Sequence, residues 1–204
     1  MKGKKLTLTF LFLFNGIFSN AQSSSSNTKL HDFLLNNFDS TIIYYTYSNW
    51  YYYPNYLIAS KLNNELFYFT YVNPYRNPNV VSRPSSLKNL FFKEEMKFWR
   101  TPADTNQYFL PFYINHLKKD SAWKQINRFN IWETKIDHSF IENPNKPIIH
   151  DGDEFEIHLI TKQGIKRKYW YEPDSDERYS PGNSYRISGI KTRDAMLAVF
   201  RVKY

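Results

Sequence analysis

The sequence contains no cysteine, and only six of its 204 residues are glycine. The lack of cysteine excludes disulfide bonds, a thiol nucleophile and a lipid-modified N-terminal cysteine, so stability must come from the core alone. The few glycines do not form a phosphate-binding loop. Asn-x-Ser/Thr acceptor sites are also lacking, and this pattern favours a bacterial protein over a glycosylated eukaryotic one.

A long hydrophobic run is missing as well, and the one apolar stretch of note lies near the start. It covers Leu6–Phe18, about 13 residues, whereas a membrane-spanning helix needs roughly 20. Lysines at positions 2, 4 and 5 precede it, and the small residues Ser19 and Ala21 follow it. This order predicts a signal peptide over residues 1–21, cleaved after Ala21, and hence export to the periplasm or the cell exterior. The alternative is a retained membrane anchor, which the short length disfavours.

The chain carries a net positive charge, but its basic residues are scattered along the sequence. Loss of residues 1–21 removes three lysines and no acid, which lowers the formal charge from +8 to +5. The one basic cluster, Lys162–Lys168, has the spacing of a solvated hairpin edge, so a nucleic-acid partner is not expected. Aromatic residues make up 19% of the chain, a proportion that suits a protein or glycan partner but is also typical of AT-rich codon usage, because Asn, Lys, Ile, Tyr and Phe are abundant together.

Beyond a disordered polar lead-in over residues 22–27, the pattern predicts a single α+β domain over residues 28–204. We expect an antiparallel sheet built from two clear hairpins, with several helices packed on one of its faces. Hairpins are predicted over 56–72 and 154–171, strands over 42–47 and 131–137, and helical segments over 28–38, 87–100, 108–131 and 192–201. Residues 49–55 and 174–181 are predicted as loops.

No motif identifies a catalytic residue, a metal site or a cofactor. The best metal candidate is the turn His150, Asp151, Asp153, but His158 lies about 15 Å further along a strand and cannot join it. An Asp-Gly turn needs no metal to form. The alternative function is a hydrolase of unrecognised family that uses Asp or Glu with His116, His138 or His150.

Aromatic residues give the best binding candidates, because Tyr and Trp combine a large apolar area with a polar tip. The first group lies in the predicted loop and comprises Trp50, Tyr51, Tyr52, Tyr53 and Tyr56. Trp170 and Arg186, near the second hairpin, form a weaker group. The sequence therefore predicts an exported, non-enzymatic binding or interaction protein, with the hydrolase as the alternative.

Overall fold

Alternating and continuous apolar runs form six strands, which the computed structural model places in one antiparallel sheet. The structure describes residues 27–48, 51–72, 85–147 and 152–201. The strands are β1 (Ser40–Ser48), β2 (Tyr51–Leu62), β3 (Glu65–Tyr71), β4 (Phe109–Pro111), β5 (Glu154–Thr161) and β6 (Gly164–Tyr171). Their order in the sheet is β4-β3-β2-β1-β5-β6. The helices are α1 (Lys29–Asn37), α2 (Lys88–Arg100), α3 (His116–Asn127), α4 (Pro173–Tyr179) and α5 (Ser184–Phe200).

Both predicted hairpins are confirmed. Asn63 and Asn64 connect β2 to β3 with φ angles of 49° and 69°, a conformation that asparagine tolerates better than most residues. Gly164, at a φ of 135°, opens β6 after the turn that follows β5. The α+β class and the antiparallel sheet predicted from the sequence are therefore present in the structure.

Helices cover both faces of this sheet, whereas we predicted them on one face. Ile42 in β1 is buried with residues of α3 and α5, while its neighbour Ile43 is buried with residues of α1 and α2. Successive strand side chains point to opposite faces, so adjacent buried isoleucines require a layer on each side. The result is a three-layer arrangement with two cores separated by the sheet.

Several predicted boundaries were wrong. The backbone of residues 51–55, predicted as a loop, belongs to β2, and residues 131–137, predicted as a strand, form turns and irregular chain. The predicted helical region over 108–131 is divided into β4 and α3. The predicted polar loop at 174–181 is largely α4, since Pro173 presets the first helical turn and Asp174 and Asp176 lie at its positive end.

The last helix, α5, begins eight residues earlier than predicted. Asn183 caps it by accepting a hydrogen bond from the backbone N–H of Arg186 at 3.0 Å. Within the described residues, no helix combines the length and the apolar character required to cross a bilayer.

Candidate functional site

The sequence-predicted binding residues lie apart from one another in the structure. Trp50 falls outside the described residues, and only the backbone of Tyr51, Tyr52 and Tyr53 is described, as the start of β2. Tyr56 is 5% exposed and belongs to the core beneath α1 and α2. The binding role of this aromatic segment stays a prediction.

Trp170 and Arg186 lie on the opposite side of the sheet from Tyr56, and each is 4% exposed. The Trp170 ring stacks on Phe155 and Tyr185, with centroids 5.0 and 4.8 Å away. The Arg186 guanidinium donates to the Ser180 carbonyl at 3.0 Å and to the Glu142 carboxylate at 2.5 Å. The contacts of Trp170 are those of a side chain packed in the interior, and the contacts of Arg186 link α5 to the chain around residue 142.

The two histidines of the hydrolase alternative that the structure describes lie near carboxylates only at the surface, since His116 lines an open pocket with Glu65 and Asp120, and His138 adjoins Asp137. His116 and His138 are exposed, and His150 with Asp151 lies outside the described residues. A different pair, His31 and His158, is buried to 2% exposure and joined to Glu156. Within the described ranges, no group of three or more His, Asp or Glu side chains has an arrangement suited to a metal ion.

A hydrogen-bonded chain runs from the start of α1 into the sheet. Thr28 Oγ1 lies 2.8 Å from His31 Nδ1, and His31 Nε2 lies 2.9 Å from His158 Nδ1. The other ring nitrogen, His158 Nε2, lies 2.7 Å from Glu156 Oε2. We call these four residues the histidine chain.

The local sequence explains how the histidine chain is assembled. Thr28 is the N-cap of α1, and His31 occupies the position at which a capping box usually has Glu or Gln. Glu156 and His158 are two residues apart on β5, so both point to the face that α1 covers. The sequence signal of this site is therefore Thr-x-x-His at a helix start together with Glu-x-His on a strand. Neither pattern is a known catalytic or metal-binding spacing, so a search for such motifs does not find it.

The partners fix which ring nitrogens carry protons. The backbone N–H of Thr28 donates to His31 Nδ1 at 3.3 Å, so Nδ1 is an acceptor and Nε2 carries the hydrogen. His31 Nε2–H then donates to His158 Nδ1, and His158 Nε2–H donates to the Glu156 carboxylate. Both rings are thus neutral, and every nitrogen has a partner.

Burial sets the electrostatics of the histidine chain. Loss of hydration lowers the pKa of His31 to about 3, assisted by His158 and by the nearby Arg167 guanidinium. Burial also lowers the pKa of His158, although the hydrogen bond to Glu156 opposes that shift. The Tyr45 ring lies 6.0 Å from that of His158, and burial raises the pKa of Tyr45 to about 12.

These properties weigh against nucleophile activation by the chain. A general base works best when its pKa is near the working pH, so that it is both deprotonated and a strong acceptor. An imidazole whose pKa is about 3 is deprotonated at neutral pH but takes the hydroxyl proton of Thr28 weakly. The chain suits a structural or proton-sensing role better than hydrolysis.

A separate groove lies on the other side of the sheet. It measures about 480 Å³ and is formed by the segment after β4, one side of α3 and the end of α5. Its lining includes Tyr113, Asn115, Lys118, Gln125 and Arg201. Tyr113 is 85% exposed, so a large aromatic ring stands at the groove with little of its surface covered.

No protein-family model, curated protein or solved structure matches this chain. The functional argument therefore rests on the geometry of the histidine chain and of the groove.

Proposed function

We propose that the protein is an exported, non-enzymatic binding domain that holds an acidic segment of another polypeptide in the groove between α3 and the end of α5. The observation that carries this proposal is the exposure of three large side chains, one that lines the groove and two that flank its lining residues in the sequence. Leu110 in β4 is 41% exposed, Tyr113 is 85% exposed, and Leu117 in the first turn of α3 is 79% exposed. Groups of exposed apolar side chains rimmed by polar residues are typical of interaction surfaces.

The position of these side chains supports a shared surface. Tyr113 lines the groove directly. Leu117 and the lining residue Ser121 are four residues apart, so they lie on one side of α3. Leu110 precedes the segment that forms the groove wall. A ligand in the groove would therefore have apolar anchors at its edge.

The charge of the groove indicates the chemistry of the ligand. Lys118 and Arg201 are its charged lining residues, and no carboxylate lines it among the residues that the structure describes. Complementary charge raises the rate of association and selects the partner. An acidic segment that carries an aromatic or aliphatic side chain matches both the two cations and the apolar rim.

A polypeptide fits this surface better than a glycan. Sugars are bound mainly through hydrogen bonds and the face of an aromatic ring, and they make little use of branched aliphatic side chains. Two of the three exposed anchors are leucines, Leu110 and Leu117. Aliphatic pockets instead favour apolar side chains of a peptide.

The proposal can be tested with a random peptide library displayed on phage and the full-length mature protein as bait. We expect enrichment of sequences with Asp or Glu around an aromatic or aliphatic residue. Truncation of Tyr113 and Leu117 together to alanine should weaken binding of a selected peptide by about tenfold, because the loss of two large apolar contacts of about 1 kcal/mol each exceeds the roughly 1.4 kcal/mol of a tenfold change. Both positions are exposed, so the melting temperature should hardly change.

Ile141→Ala is the matched control, since Ile141 is 87% exposed and does not line the groove. This variant should bind the selected peptide like the wild type. Peptides without acidic bias, or peptides that bind the Tyr113 and Leu117 variant normally, would contradict the proposal. Binding on a glycan array that depends on Tyr113 would preserve the groove but overturn the polypeptide ligand.

Export is the second part of the proposal, and it rests on the sequence of residues 1–21 alone. N-terminal sequencing of the protein recovered from its native cells should begin at Gln22. A protein that begins at Met1 and fractionates with the cytosol would contradict the proposed export. It would not contradict the proposed ligand of the groove, which the binding test addresses separately.

A further inference from the structure

Among the residues that the structure describes, one buried polar contact between side chains attaches the first turn of α1 to the sheet, the bond from His31 to His158. Around it, Leu30 and Leu34 are fully buried, and the backbone N–H of Leu30 donates to the Ala103 carbonyl at 3.1 Å. The same His31 ring also completes the capping box with Thr28. One imidazole therefore joins helix initiation to docking of the helix on the sheet.

A single added proton cannot be accommodated without loss at the start of α1. If His158 is protonated, its Nδ1 becomes a donor, and His31 Nε2 must give up its hydrogen to accept. The hydrogen then resides on His31 Nδ1, which faces the backbone N–H of Thr28 at 3.3 Å. Thr28 Oγ1, 2.8 Å from that nitrogen, can accept this hydrogen, but the backbone N–H of Thr28 loses its acceptor, so the half of the capping box that His31 supplies is lost.

A second proton breaks the bond between the rings. With both imidazoles charged, His31 Nε2–H and His158 Nδ1–H point at each other across 2.9 Å. Two like charges with opposed donors in a buried site are strongly unfavourable. The histidine chain therefore satisfies all of its donors and acceptors only when both rings are neutral: one added proton costs the bond from the Thr28 N–H, and two break the contact between the rings.

The charged groups facing the pair do not remove this constraint. Glu156 on β5 favours a proton on His158, while Arg167 on β6 disfavours a proton on either ring. Tyr45 on β1 and Tyr56 on β2 face the pair as neutral rings. On α1 itself, the positive end of the helix dipole adds to the penalty at His31.

We propose that the histidine chain is a proton-operated latch that holds α1 on the sheet near neutral pH and releases it on acidification. Release exposes both imidazoles to water, where each takes up a proton readily. Three observations support this proposal: the tautomers that Thr28 and Glu156 favour, the burial of both rings, and the position of His31 in the capping box. The latch is independent of the groove and survives failure of the proposed ligand.

Hydrogen exchange of the full-length protein tests the latch, with rates corrected for the intrinsic pH dependence of amide exchange. Each proton taken up on opening raises the opening constant about tenfold per pH unit below the ordinary histidine pKa of about 6.5. We therefore expect the opening constant of α1 amides to rise up to about a hundredfold per pH unit between pH 6 and pH 5. The amides of α5 should change far less.

Variants separate the two protons. His31→Gln keeps a capping-box residue and should reduce the rise to about tenfold per pH unit. The double variant His31→Gln with His158→Gln should abolish it. His116→Gln is the matched control, because His116 is exposed, and it should preserve the full rise. An α1 opening constant that is independent of pH in the wild type, or that keeps its rise in the double variant, would overturn the latch.

A measurement on the wild type keeps the test valid if a variant fails to fold. The ring ¹⁵N shifts of His31 and His158 report the tautomer and the charge directly. At pH 5, rings in protein with α1 still protected should be neutral with hydrogen on Nε2. Rings that titrate near pH 6.5 while α1 stays protected would refute the proposal.

Discussion

Gly189→Ala should destabilise the protein, although the same change inside a helix normally stabilises it. Gly189 is buried in α5 against the indole of Trp170. A Cβ atom at this position would lie 2.6 Å from both Cζ2 and Nε1 of Trp170, whereas ordinary contacts begin near 3.4 Å. The indole cannot easily retreat, because it is stacked on Phe155 and Tyr185.

The expected size follows from two opposing effects. Overpacking a core costs about 1–3 kcal/mol, and the depth of this overlap points to the upper end. Replacement of glycine by alanine in a helix raises the free energy of unfolding by about 1 kcal/mol. The free energy of unfolding should therefore fall by about 2 kcal/mol, which lowers the melting temperature by roughly 4–8 °C in a protein of this size.

Urea denaturation followed by far-ultraviolet circular dichroism measures this change. Lys191→Ala, at an exposed position of α5, is the control for helix propensity and should be nearly neutral. When Gly189→Ala is combined with Trp170→Phe, the smaller ring should relieve the overlap, so the double variant should lose less than the sum of the two single losses. An unchanged or increased stability of Gly189→Ala would refute the steric argument.

Three further predictions concern stability. Arg186→Met should lower the free energy of unfolding by about 1–3 kcal/mol in chemical denaturation, because it removes a buried donor to the Ser180 carbonyl, whereas Glu142 is partly exposed and keeps Lys146 at 3.5 Å; an unchanged stability would contradict this reading of Arg186. Asn64→Gly should raise the melting temperature, since glycine adopts the φ angle of 69° without strain, and an unchanged or lower value in calorimetry would argue against the turn geometry. Because burial lowers the pKa of His31 and His158, the unfolded chain binds protons more readily. The contribution of both histidines to the free energy of unfolding should therefore be largest above pH 6.5 and fall below it by up to about 1.4 kcal/mol per pH unit for each, with the fall due to His31 continuing to about pH 3, whereas a constant stability below pH 6.5 would oppose burial of neutral rings.

The elements predicted best from the sequence are those whose signals are local. Asn63 and Asn64 mark a tight turn, and β5 alternates apolar and polar residues, so both hairpins could be found. The coverage of both sheet faces was missed even though Ile42 and Ile43 are adjacent and both apolar. Recognition of two layers requires knowledge of which helices return to which face, and this depends on long-range packing.

The candidate sites were harder to predict, because both depend on residues far apart in the chain. His31 and His158 are separated by 127 positions and meet only when α1 lies on β5. The groove joins Tyr113 to Arg201 in the same way. Aromatic density pointed instead to Tyr56 and Trp170, whose rings fill the interior.

The two ends of the sheet have a consequence for self-association. In the described part of the chain, one outer strand is β4, with three residues and a terminal Pro111 that lacks an N–H donor. The other is β6, which carries Lys166 and Arg167. Short, proline-ended or cationic edges are poor templates for a strand from a second copy. No disulfide restricts transient opening of this chain, but because both of these edges are poor templates, such opening should seldom lead to strand exchange or fibre growth.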